Sequence, residues 1–491
     1  SKLVLQQTQF TTMLQNKSTN YFSEISSFFS KEEKSFSTVI HVIKGLNINR
    51  MNLGLEEFAQ ASYRKSDLLL ICLLFPLFSI DNIRRYLGSS LQKHFLSEKD
   101  TLYRFKNSPL FDWRDFLYKV NKRIVGWTES TSENDNPKCL ILDDTDLPKT
   151  GKRIEHVGRI WSHTAKGSLL GIKALFLGYW DGTSFFGLDF CLGKELGKKE
   201  DRPFGLTHKE RKAQFKKKRS LRSASVRRIE ELTKNKIDNG VSLIYRAFKK
   251  KIQFDYLLTD SWFVCEKLMC TALKCSAHLL GMAKMGTTLY CYNNRYLNAN
   301  QLIKYLVRNK KSKRIKCLGM YAAEAKVTFN DIPLKLFFFK TSRKAKWHII
   351  LTTNCSLRAV KAYHIYSIRW GIEVFFKETK QYFHLGKCQS RDFDAQIADT
   401  SLSIIQYNIF SLAIRLESYL TLGGLFEESQ KQALELTLWQ RIWEFLIDFL
   451  SQLAKILEIN PDEFMSQILA IENNKQNKLL SLFQRTLLYA A

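Results

Sequence analysis

Paired cysteines are missing from this sequence. Its 10 cysteines are scattered without a CxxC pair, and the closest three, Cys265, Cys270 and Cys275, follow one another at five-residue steps. Such steps do not place side chains on one helix face. Disulfide frameworks and structural zinc sites use paired or regularly spaced cysteines. We therefore expect free thiols in a reduced, cytoplasmic compartment and no zinc site.

A long hydrophobic run is also missing. The longest apolar stretch, Leu68 to Phe78, is short and is interrupted by Pro76, whereas a helix that spans a membrane needs roughly 20 apolar residues. The first residues do not have the layout of a secretory signal. We therefore expect neither a transmembrane helix nor a secretory leader.

Acidic residues are scarce relative to basic ones. The sequence has 47 Asp and Glu against 76 Lys and Arg, which leaves a formal net charge of +29. Repulsion among so many positive charges does not stabilise a fold. A polyanionic partner is the simplest explanation of the excess positive charge. Phosphate contacts and counterion release favour Lys and Arg, so nucleic acid is the predicted partner. The alternative is a genome whose composition favours lysine.

The length and patterning predict several compact units. With 491 residues and 45% hydrophobic residues, two to four units are expected. Helical spacing predicts a helical domain over 1–125 and another over 413–491. Between them, short apolar segments predict the strands of an α/β core. These segments are 139–142, 171–179, 184–190, 254–259, 277–282 and 347–353.

Residues 287–345 interrupt this predicted core. Two apolar segments, 327–329 and 332–339, flank Asn330 and Asp331, which predicts a β-hairpin. Several Lys and Arg between 310 and 316 make the segment basic. We therefore predict a β-rich insertion over 287–345, with the core divided into 126–286 and 346–412.

The segment YSIRWGIEVFFKETK, residues 366–380, carries the most informative pattern. At about 100° per residue its functional groups fall on one narrow stripe, while its apolar residues form the side that would pack on a sheet. The stripe consists of Tyr366, Arg369, Glu373, Lys377 and Lys380. A carboxylate here could bind a metal while its cationic neighbours hold phosphates. The alternative is a solvated face of ion pairs.

Two further carboxylates follow predicted strands. Asp143 comes after CLIL and Asp260 after FDYLLT, and ligand sites of α/β sheets favour this edge, although either acid alone could be a cap or turn residue. Two magnesium ions about 4 Å apart, held by carboxylate oxygens, can stabilise both the attacking and the leaving oxygen at phosphorus. Together with Glu373, these acids predict such a site.

These motifs resemble those of bacterial insertion-sequence transposases of the DDE type. Tyr366, Arg369, Glu373 and Lys380 complete the Y-x2-R-x3-E-x6-K signature of the YREK group. The segments LDDT and LLTDSW are similar to the group's first and second aspartate motifs, and the resemblance covers about residues 100–410. It implies an α/β ribonuclease-H-like core with a β-rich insertion, flanked by N-terminal and C-terminal helical domains.

The resemblance also implies an activity. Asp143, Asp260 and Glu373 would be the catalytic residues and would hold two divalent ions, Mg²⁺ with Mn²⁺ as a substitute. The enzyme would cut double-stranded DNA at transposon ends, by way of a hairpin in relatives, and transfer strands into target DNA. A homodimer would pair two ends, in the cytoplasm and on the bacterial nucleoid when bound to DNA. The alternatives are a related metal-dependent nuclease and a domesticated DNA-binding protein without integration activity.

The choice of the first aspartate is open, because Asp144 and Asp146 are close neighbours. We choose Asp143 because it directly follows the predicted strand and because Thr145 completes the family's D-x-[ST] pattern.

Several residues are predicted to contact DNA. The resemblance places Tyr366, Arg369 and Lys380 at phosphates near the transposon end, and charge or position adds Lys377, Trp262, Lys216, Lys217, Lys218 and Arg219. Trp262 and Trp370 could stack on an unpaired base, but core packing is the commoner role. In the N-terminal domain Arg104, Lys106 and Arg114 are candidate contacts. The apolar C-terminal residues 438–449 would bury a partner surface or form an ordinary core.

Overall fold

The computed structural model of the protein describes residues 34–47, 65–89, 91–92, 97–129, 136–416 and 421–435. The chain divides into two compact units, one made of residues 1–105 with 412–491 and the other of residues 106–411. The predicted five-part division stays a prediction, and its boundary near residue 125 falls inside a helix. The apolar segment 438–449 lies outside the described residues.

The first unit is helical where the structure describes it. Its helices are α1 (Lys34–Gly45), α2 (Lys65–Leu74), α3 (Ile83–Tyr86), α4 (Lys99–Lys106) and residues 422–435. Helix α2 is largely buried and ends before Pro76, because proline cannot donate a helical hydrogen bond. The side chain of Gln432 accepts a hydrogen bond of 2.8 Å from the backbone N–H of Phe36, which joins α1 to helix 422–435.

The second unit contains one large mixed sheet with helices. Its strands are β1 (Cys139–Pro148), β2 (Gly158–Ser162), β3 (Gly167–Trp180), β4 (Phe185–Gly193), β5 (Tyr256–Thr259), β6 (His278–Ala283), β7 (Leu289–Tyr292), β8 (Arg295–Asn298), β9 (Ser312–Ile315), β10 (Met320–Phe329), β11 (Ile332–Lys340) and β12 (His348–Thr352). Their order is β2-β3-β1-β5-β6-β12-β11-β10-β7-β8, with β4 beside β3 and β9 beside β10.

The strands β4, β3, β1, β5 and β6 form the part of the sheet that the sequence predicts as an α/β core. Strand β1 is antiparallel to β3 and parallel to β5, and β5 is parallel to β6. This mixed order is compatible with a ribonuclease-H-like core. The flanking helical domains of the prediction are not established by it.

One strand boundary differs from the prediction. Strand β1 does not end at Leu142 but continues to Pro148. Its parallel pairing with β5 does end at Leu142, whereas its antiparallel pairing with the longer β3 goes on to Pro148. Asp143 therefore lies inside a strand, at the position where one of its two neighbours stops.

The segment between β6 and β12 extends the same sheet. Strand β12 is antiparallel to both β6 and β11, and β10 and β11 form the predicted hairpin. Asn330 and Asp331 at its tip have φ values of 47° and 62°, which a two-residue type I′ turn requires. The segment also contains a helix, Ala299–Arg308.

The helices of the second unit are α5 (Trp113–Glu129), α6 (His208–Lys212), α7 (Ala224–Glu231), α8 (Lys236–Lys249), α9 (Glu266–Lys274), α10 (Ala299–Arg308), α11 (Ala359–Ser367), α12 (Trp370–Tyr382) and α13 (Phe393–Leu416), the last of which reaches into the first unit. Helix α13 is, within the described ranges, long and apolar enough to cross a membrane, but most of its apolar stretch is buried, as in a core helix.

Residues 366–380 do not form the single predicted helix, because α11 ends at Ser367 and α12 begins at Trp370, with a turn at 368–369. Helix α12 packs on the sheet through the predicted apolar side. The rings of Phe375 and Phe376 lie edge-on to Phe176 of β3, at centroid distances of 5.7 and 5.4 Å. Gly187 of β4 permits this close approach, because a Cβ there would lie 3.1 Å from the Phe375 ring and 2.7 Å from Ile404. This packing points the polar stripe of α12 towards β1.

Candidate active site

Asp143 and Asp260 lie side by side on neighbouring strands. The last parallel pair of β1 and β5 is Leu142 with Thr259, so Asp143 occupies the next position of β1 and Asp260 the first position after β5. Neighbouring strands are about 4.8 Å apart. The Oδ1 atom of Asp260 accepts hydrogen bonds from the backbone N–H groups of Trp262 and Phe263, at 2.9 and 3.3 Å. These bonds hold the carboxylate at the end of β5.

Glu373 approaches the same place from α12. The guanidinium of Arg369 donates to Asp143, with an Nη1–Oδ2 distance of 3.3 Å, and its other terminal nitrogen donates to Glu373. One cation therefore bridges two acids that are 230 residues apart in the sequence. The structure thus places one guanidinium between Asp143 and Glu373, and Asp260 near enough to Asp143 to raise its pKa. That the three acids share a metal site stays a prediction.

The charge balance at this site is incomplete. Burial raises the pKa of Asp143 to about 7, and repulsion by Asp260 adds to the increase, against the Asp144 backbone N–H and the Arg369 guanidinium, which lower it. A carboxyl with this pKa is only partly ionised at neutral pH. An additional cation between the aspartates would favour its ionised form.

The donor chemistry fits divalent metal ions. All three side chains offer carboxylate oxygens, which are the ligands Mg²⁺ prefers, and the bridging Arg369 shows that a cation is already favoured between two of them. Among the described residues, no three acidic, His or Cys side chains stand close enough together to hold an ion as they are placed. Binding would therefore require Arg369 to give up its bridging position.

The other two acids of β1 have different partners. Asp144 pairs with Lys236 at 2.9 Å, and Asp146 pairs with Lys173. Both lie on the opposite side of the strand from Asp143, because side chains alternate along β1. The charge of Asp144 is therefore compensated by Lys236, and that of Asp146 by Lys173 with a further contribution from Lys380 of α12.

The remaining signature residues surround the acids. Lys380 donates a 2.7 Å hydrogen bond to the Thr145 hydroxyl, next to Asp143 on the same face of β1. Burial raises the pKa of Tyr366, and the nearby Asp260 and Asp143 raise it further, against the opposite effect of Arg369. The Arg369 guanidinium lies 5.9 Å from the Tyr366 ring centroid. Lys377 lies about one helical turn after Glu373 and is exposed.

Both tryptophans near the site are exposed, which corrects the expectation of core packing. Trp262 is 48% exposed and Trp370 is 61% exposed. The Trp262 ring is contacted by the Lys236 ammonium at 4.8 Å, and Lys236 also pairs with Asp144. Sequence reasoning missed Lys236 as a link between the strand and this indole. The only feature of the sequence that indicated Lys236 was its position in the basic stretch 209–236.

The basic run around residue 217 is partly turned inward, which corrects two predicted DNA contacts. Lys217 pairs with Asp392 and Asp394, each at 2.8 Å. The Arg219 side chain is only 4% exposed and pairs with Glu155 at 2.7 Å. The charges of Lys217 and Arg219 are compensated within the protein, because acidic residues from distant segments of the chain pair with them. Lys216 and Lys218 are exposed and remain predicted DNA contacts.

Two of the candidate contacts near residue 110 are also ion-pair partners. Arg114 pairs with Asp189 at 2.9 Å and with Glu231 at 2.8 Å, with its side chain 13% exposed. Lys106 pairs with Asp399. The Arg114 guanidinium is therefore directed into the protein, which does not favour its predicted contact with DNA.

Residues 224–409 match the family model of the transposase DDE domain. The matched range includes Asp260, Glu373 and the complete signature, and it stops short of Asp143 on its N-terminal side. No curated protein matches the chain. The match supports a DDE transposase family for this protein, a class of DNA-acting enzymes that generally use divalent metals.

Proposed function

We propose that this protein is an active insertion-sequence transposase of the YREK group, which cuts DNA at the ends of its element and joins those ends to target DNA. The observation that carries the proposal is the convergence of Asp143, Asp260 and Glu373, from three distant segments, beside the cations of α12. An architectural DNA-binding protein would have no need for three acids at one place.

Each residue has a role in the proposed reaction. Asp143, Asp260 and Glu373 would hold two ions, Mg²⁺ or Mn²⁺, with Asp143 favoured over Asp144 because Lys236 already neutralises the latter. The bound ions would activate water or a DNA 3′-hydroxyl and would stabilise charge on the leaving oxygen. Arg369, released from its bridge, would turn to a phosphate as a bidentate donor.

The proposed DNA contacts lie around these acids. Tyr366 and Lys380 would position the phosphate that is attacked, and the exposed Lys377 would add a further charge. Trp262 would stack on a base displaced from the duplex, since its indole is accessible beside Asp260. Lys216 and Lys218 would contact phosphates without reading sequence.

The proposed reaction follows the cut-and-paste route. A hairpin would form at each transposon end and then be reopened before insertion. Two copies of the protein would pair two ends, and the complex would act on the bacterial nucleoid.

Cleavage and joining of labelled DNA test this proposal. The full chain would be incubated with DNA carrying its own element's ends, with and without Mg²⁺, alongside Asp143→Asn, Asp260→Asn and Glu373→Gln. We expect each substitution to abolish cleavage but to leave binding of the ends largely intact. The matched variant Asp144→Asn should keep cleaving, because Asp144 lies on the other face of β1.

Two results would change the assignment. Normal cleavage by Glu373→Gln would remove the proposed site altogether. Magnesium-dependent cleavage without joining, under conditions that supply target DNA, would instead favour the metal-dependent nuclease.

A further inference from the structure

The segments that follow β1 and α12 are hydrogen-bonded to each other. Lys149, the first residue after β1, donates from its ammonium to the backbone carbonyls of Gly386 and Cys388, at 2.9 and 2.7 Å. The backbone N–H and the hydroxyl of Thr150 both donate to the Gln389 side chain, at 3.1 Å each. We call these four hydrogen bonds the polar clamp. It joins the strand that carries one proposed catalytic acid to the helix that carries another.

The loop that carries the acceptors of the polar clamp is fixed to both elements. At the end of α12 the backbone N–H of Leu385 donates to the Thr379 carbonyl at 3.1 Å, with His384 at a φ of 57°. Gly386, at a φ of 84°, lies so close to β1 that a Cβ there would be 3.1 Å from the Leu147 side chain. Glycine permits both this backbone conformation and this close approach. The strand end and the helix end are therefore held together through the loop.

Lys149 is a buried lysine. Its side chain belongs to a residue that is 5% exposed, and both hydrogen bonds of its ammonium go to carbonyl oxygens of one loop. Its own backbone N–H donates to the Leu170 carbonyl of β3 at 2.9 Å. An ammonium is costly to remove from water unless its hydrogen bonds are satisfied. The position of the loop is therefore specified by directional bonds to a buried charge, which apolar packing alone would not provide.

Among the described residues, three polar links connect 143–150 with 369–389. They are the bridge from Arg369 to Asp143, the 2.7 Å hydrogen bond from Lys380 to Thr145, and the polar clamp. In the proposed reaction Arg369 and Lys380 turn to DNA phosphates, so both of their links are given up. The apolar contacts of α12 with the sheet remain, but they are not directional. Of the three polar links, the clamp alone is then left.

We propose that Lys149 is a positioning residue, which keeps Glu373 opposite Asp143 once the two cations of the signature have turned to DNA. Shared metal ions need their carboxylates at a fixed separation, and the clamp fixes the end of α12 against the end of β1. Lys149 lies 149 − 143 = 6 residues beyond Asp143, roughly 20 Å along an extended strand, so it acts through the helix and not as a ligand. This inference rests on the proposed function and adds a residue outside the signature.

Single-turnover cleavage with saturating DNA ends tests this role. Lys149→Met keeps most of the side-chain volume and removes both hydrogen bonds of the ammonium. We expect its cleavage rate at saturating Mg²⁺ to fall about 10- to 100-fold, as for displaced catalytic groups, with binding of the ends in chelator changed less than about twofold. A loss of rate without a loss of end binding separates positioning from a general loss of folded protein.

Lys335→Met is the matched control. Lys335 of β11 is also buried, at 8% exposed, and its ammonium donates to the Leu357 carbonyl at 2.8 Å, but it lies outside both β1 and α12. We expect it to lose unfolding free energy in urea as Lys149→Met does, and to cleave within about twofold of the wild-type rate. Equal losses of rate in the two lysine variants, or a normal rate in Lys149→Met, would overturn the proposal.

A milder variant keeps the test open if Lys149→Met does not fold. Gln389→Ala removes the acceptor of both Thr150 hydrogen bonds from an exposed position, and we expect it to lower the cleavage rate about three- to tenfold. Gln253→Ala, at another exposed glutamine, should stay within about twofold of wild type. Equal rates in these two variants would contradict the role of the clamp.

Binding of Mn²⁺ gives a measurement that needs neither DNA nor cleavage. Arg369→Gln combined with Lys380→Met removes the other two links, as DNA would. Adding Lys149→Met to this protein should weaken Mn²⁺ binding about tenfold in isothermal titration, whereas adding Lys335→Met should change it less than about twofold. Equal binding in the two combinations would contradict the positioning role. If wild type never cuts but Lys149→Met weakens Mn²⁺ binding in this way, the proposed function fails and the positioning role stands.

Discussion

Two aspartates of the same sheet, one half-buried and one fully buried, have opposite surroundings. Asp189 of β4 is fully buried among three guanidinium groups, those of Arg114, Arg246 and Arg228, at 2.9, 3.0 and 3.8 Å. Burial alone would raise its pKa, but these cations lower it to about 2. Asp143 of β1 has a single cation at 3.3 Å, and its pKa is raised to about 7.

This difference separates a compensated ion cluster, around Asp189, from a group of acids with a single cationic partner, around Asp143. Around Asp189 the acids and bases are brought together by α5, α7, α8 and β4, and Glu231 completes the cluster. Around Asp143 a second aspartate adds repulsion that one arginine does not cancel. The presence of arginine beside aspartate therefore does not by itself indicate a functional site. The number of opposite charges that the fold supplies to each group decides its role.

The largest expected effect concerns the compensated ion cluster around Asp189. Asp189→Asn would leave three buried guanidinium groups with one carboxylate fewer, and breaking such a cluster costs about 3 to 5 kcal/mol of unfolding free energy. Asp143→Asn should not lower the unfolding free energy, and at pH 7 should raise it, because it relieves repulsion and removes a carboxyl whose pKa is raised on folding. Urea denaturation compares the two variants. Similar losses of unfolding free energy in both variants would contradict the distinction between the compensated cluster around Asp189 and the incompletely compensated acids around Asp143.

A second compensated ion cluster, around Arg219, should behave like the first. Arg219→Gln leaves Glu155 and its acidic neighbours without their buried partner, and we expect a loss of about 3 kcal/mol in urea denaturation. Its salt slope for DNA binding should not change. Lys218→Gln, from an exposed position one residue away, should show the reverse pattern, with normal stability and a slope shallower by about 1.

The two aspartates also predict opposite pH dependences. Because folding raises the pKa of Asp143 from its ordinary value near 4 to about 7, the folded state holds the extra proton in this range, and stability contributed there is lost as pH rises from 4 to 7. We expect a loss of about 3 kcal/mol relative to Asp143→Asn. For Asp189, with its pKa lowered to about 2, the contribution is present above pH 4 and is lost as pH falls towards 2.

Denaturation of metal-free protein across pH 4 to 7 measures the Asp143 effect. The difference between wild type and Asp143→Asn isolates it, because the other titrating groups are common to both proteins. A difference that is flat with pH would show that Asp143 is as well compensated as Asp189.

The smallest expected effect concerns competition between Arg369 and metal ions. Arg369→Gln removes the guanidinium that bridges Asp143 and Glu373, so binding of Mn²⁺ to the free protein should become roughly three- to tenfold tighter, which corresponds to about 1 kcal/mol. Glu373→Gln should weaken the same binding. Isothermal titration in the absence of DNA measures both, and weaker binding by the arginine variant would mean that its bridge assembles the site instead of closing it.

The sequence by itself determined the features that depend on near neighbours. The spacing of residues 366–380 was sufficient to place Glu373 and Lys380 on one side of a helix, with Arg369 at its N-cap. Asn330 with Asp331 was sufficient to identify a hairpin turn. The apolar segment before Asp260 was likewise sufficient for a strand. In each case the local structure follows from helical or strand periodicity or from turn geometry. These depend only on residues that are close together in the sequence.

Only the tertiary structure decided which charges are used internally and which remain for a partner. Arg219 and Lys218 are adjacent and equally basic in sequence, yet Glu155 and Asp394 enclose one and leave the other exposed. The continuation of β1 past Asp143 likewise depends on pairing with β3. Burial and strand pairing join residues far apart in the chain, so no local pattern contains them.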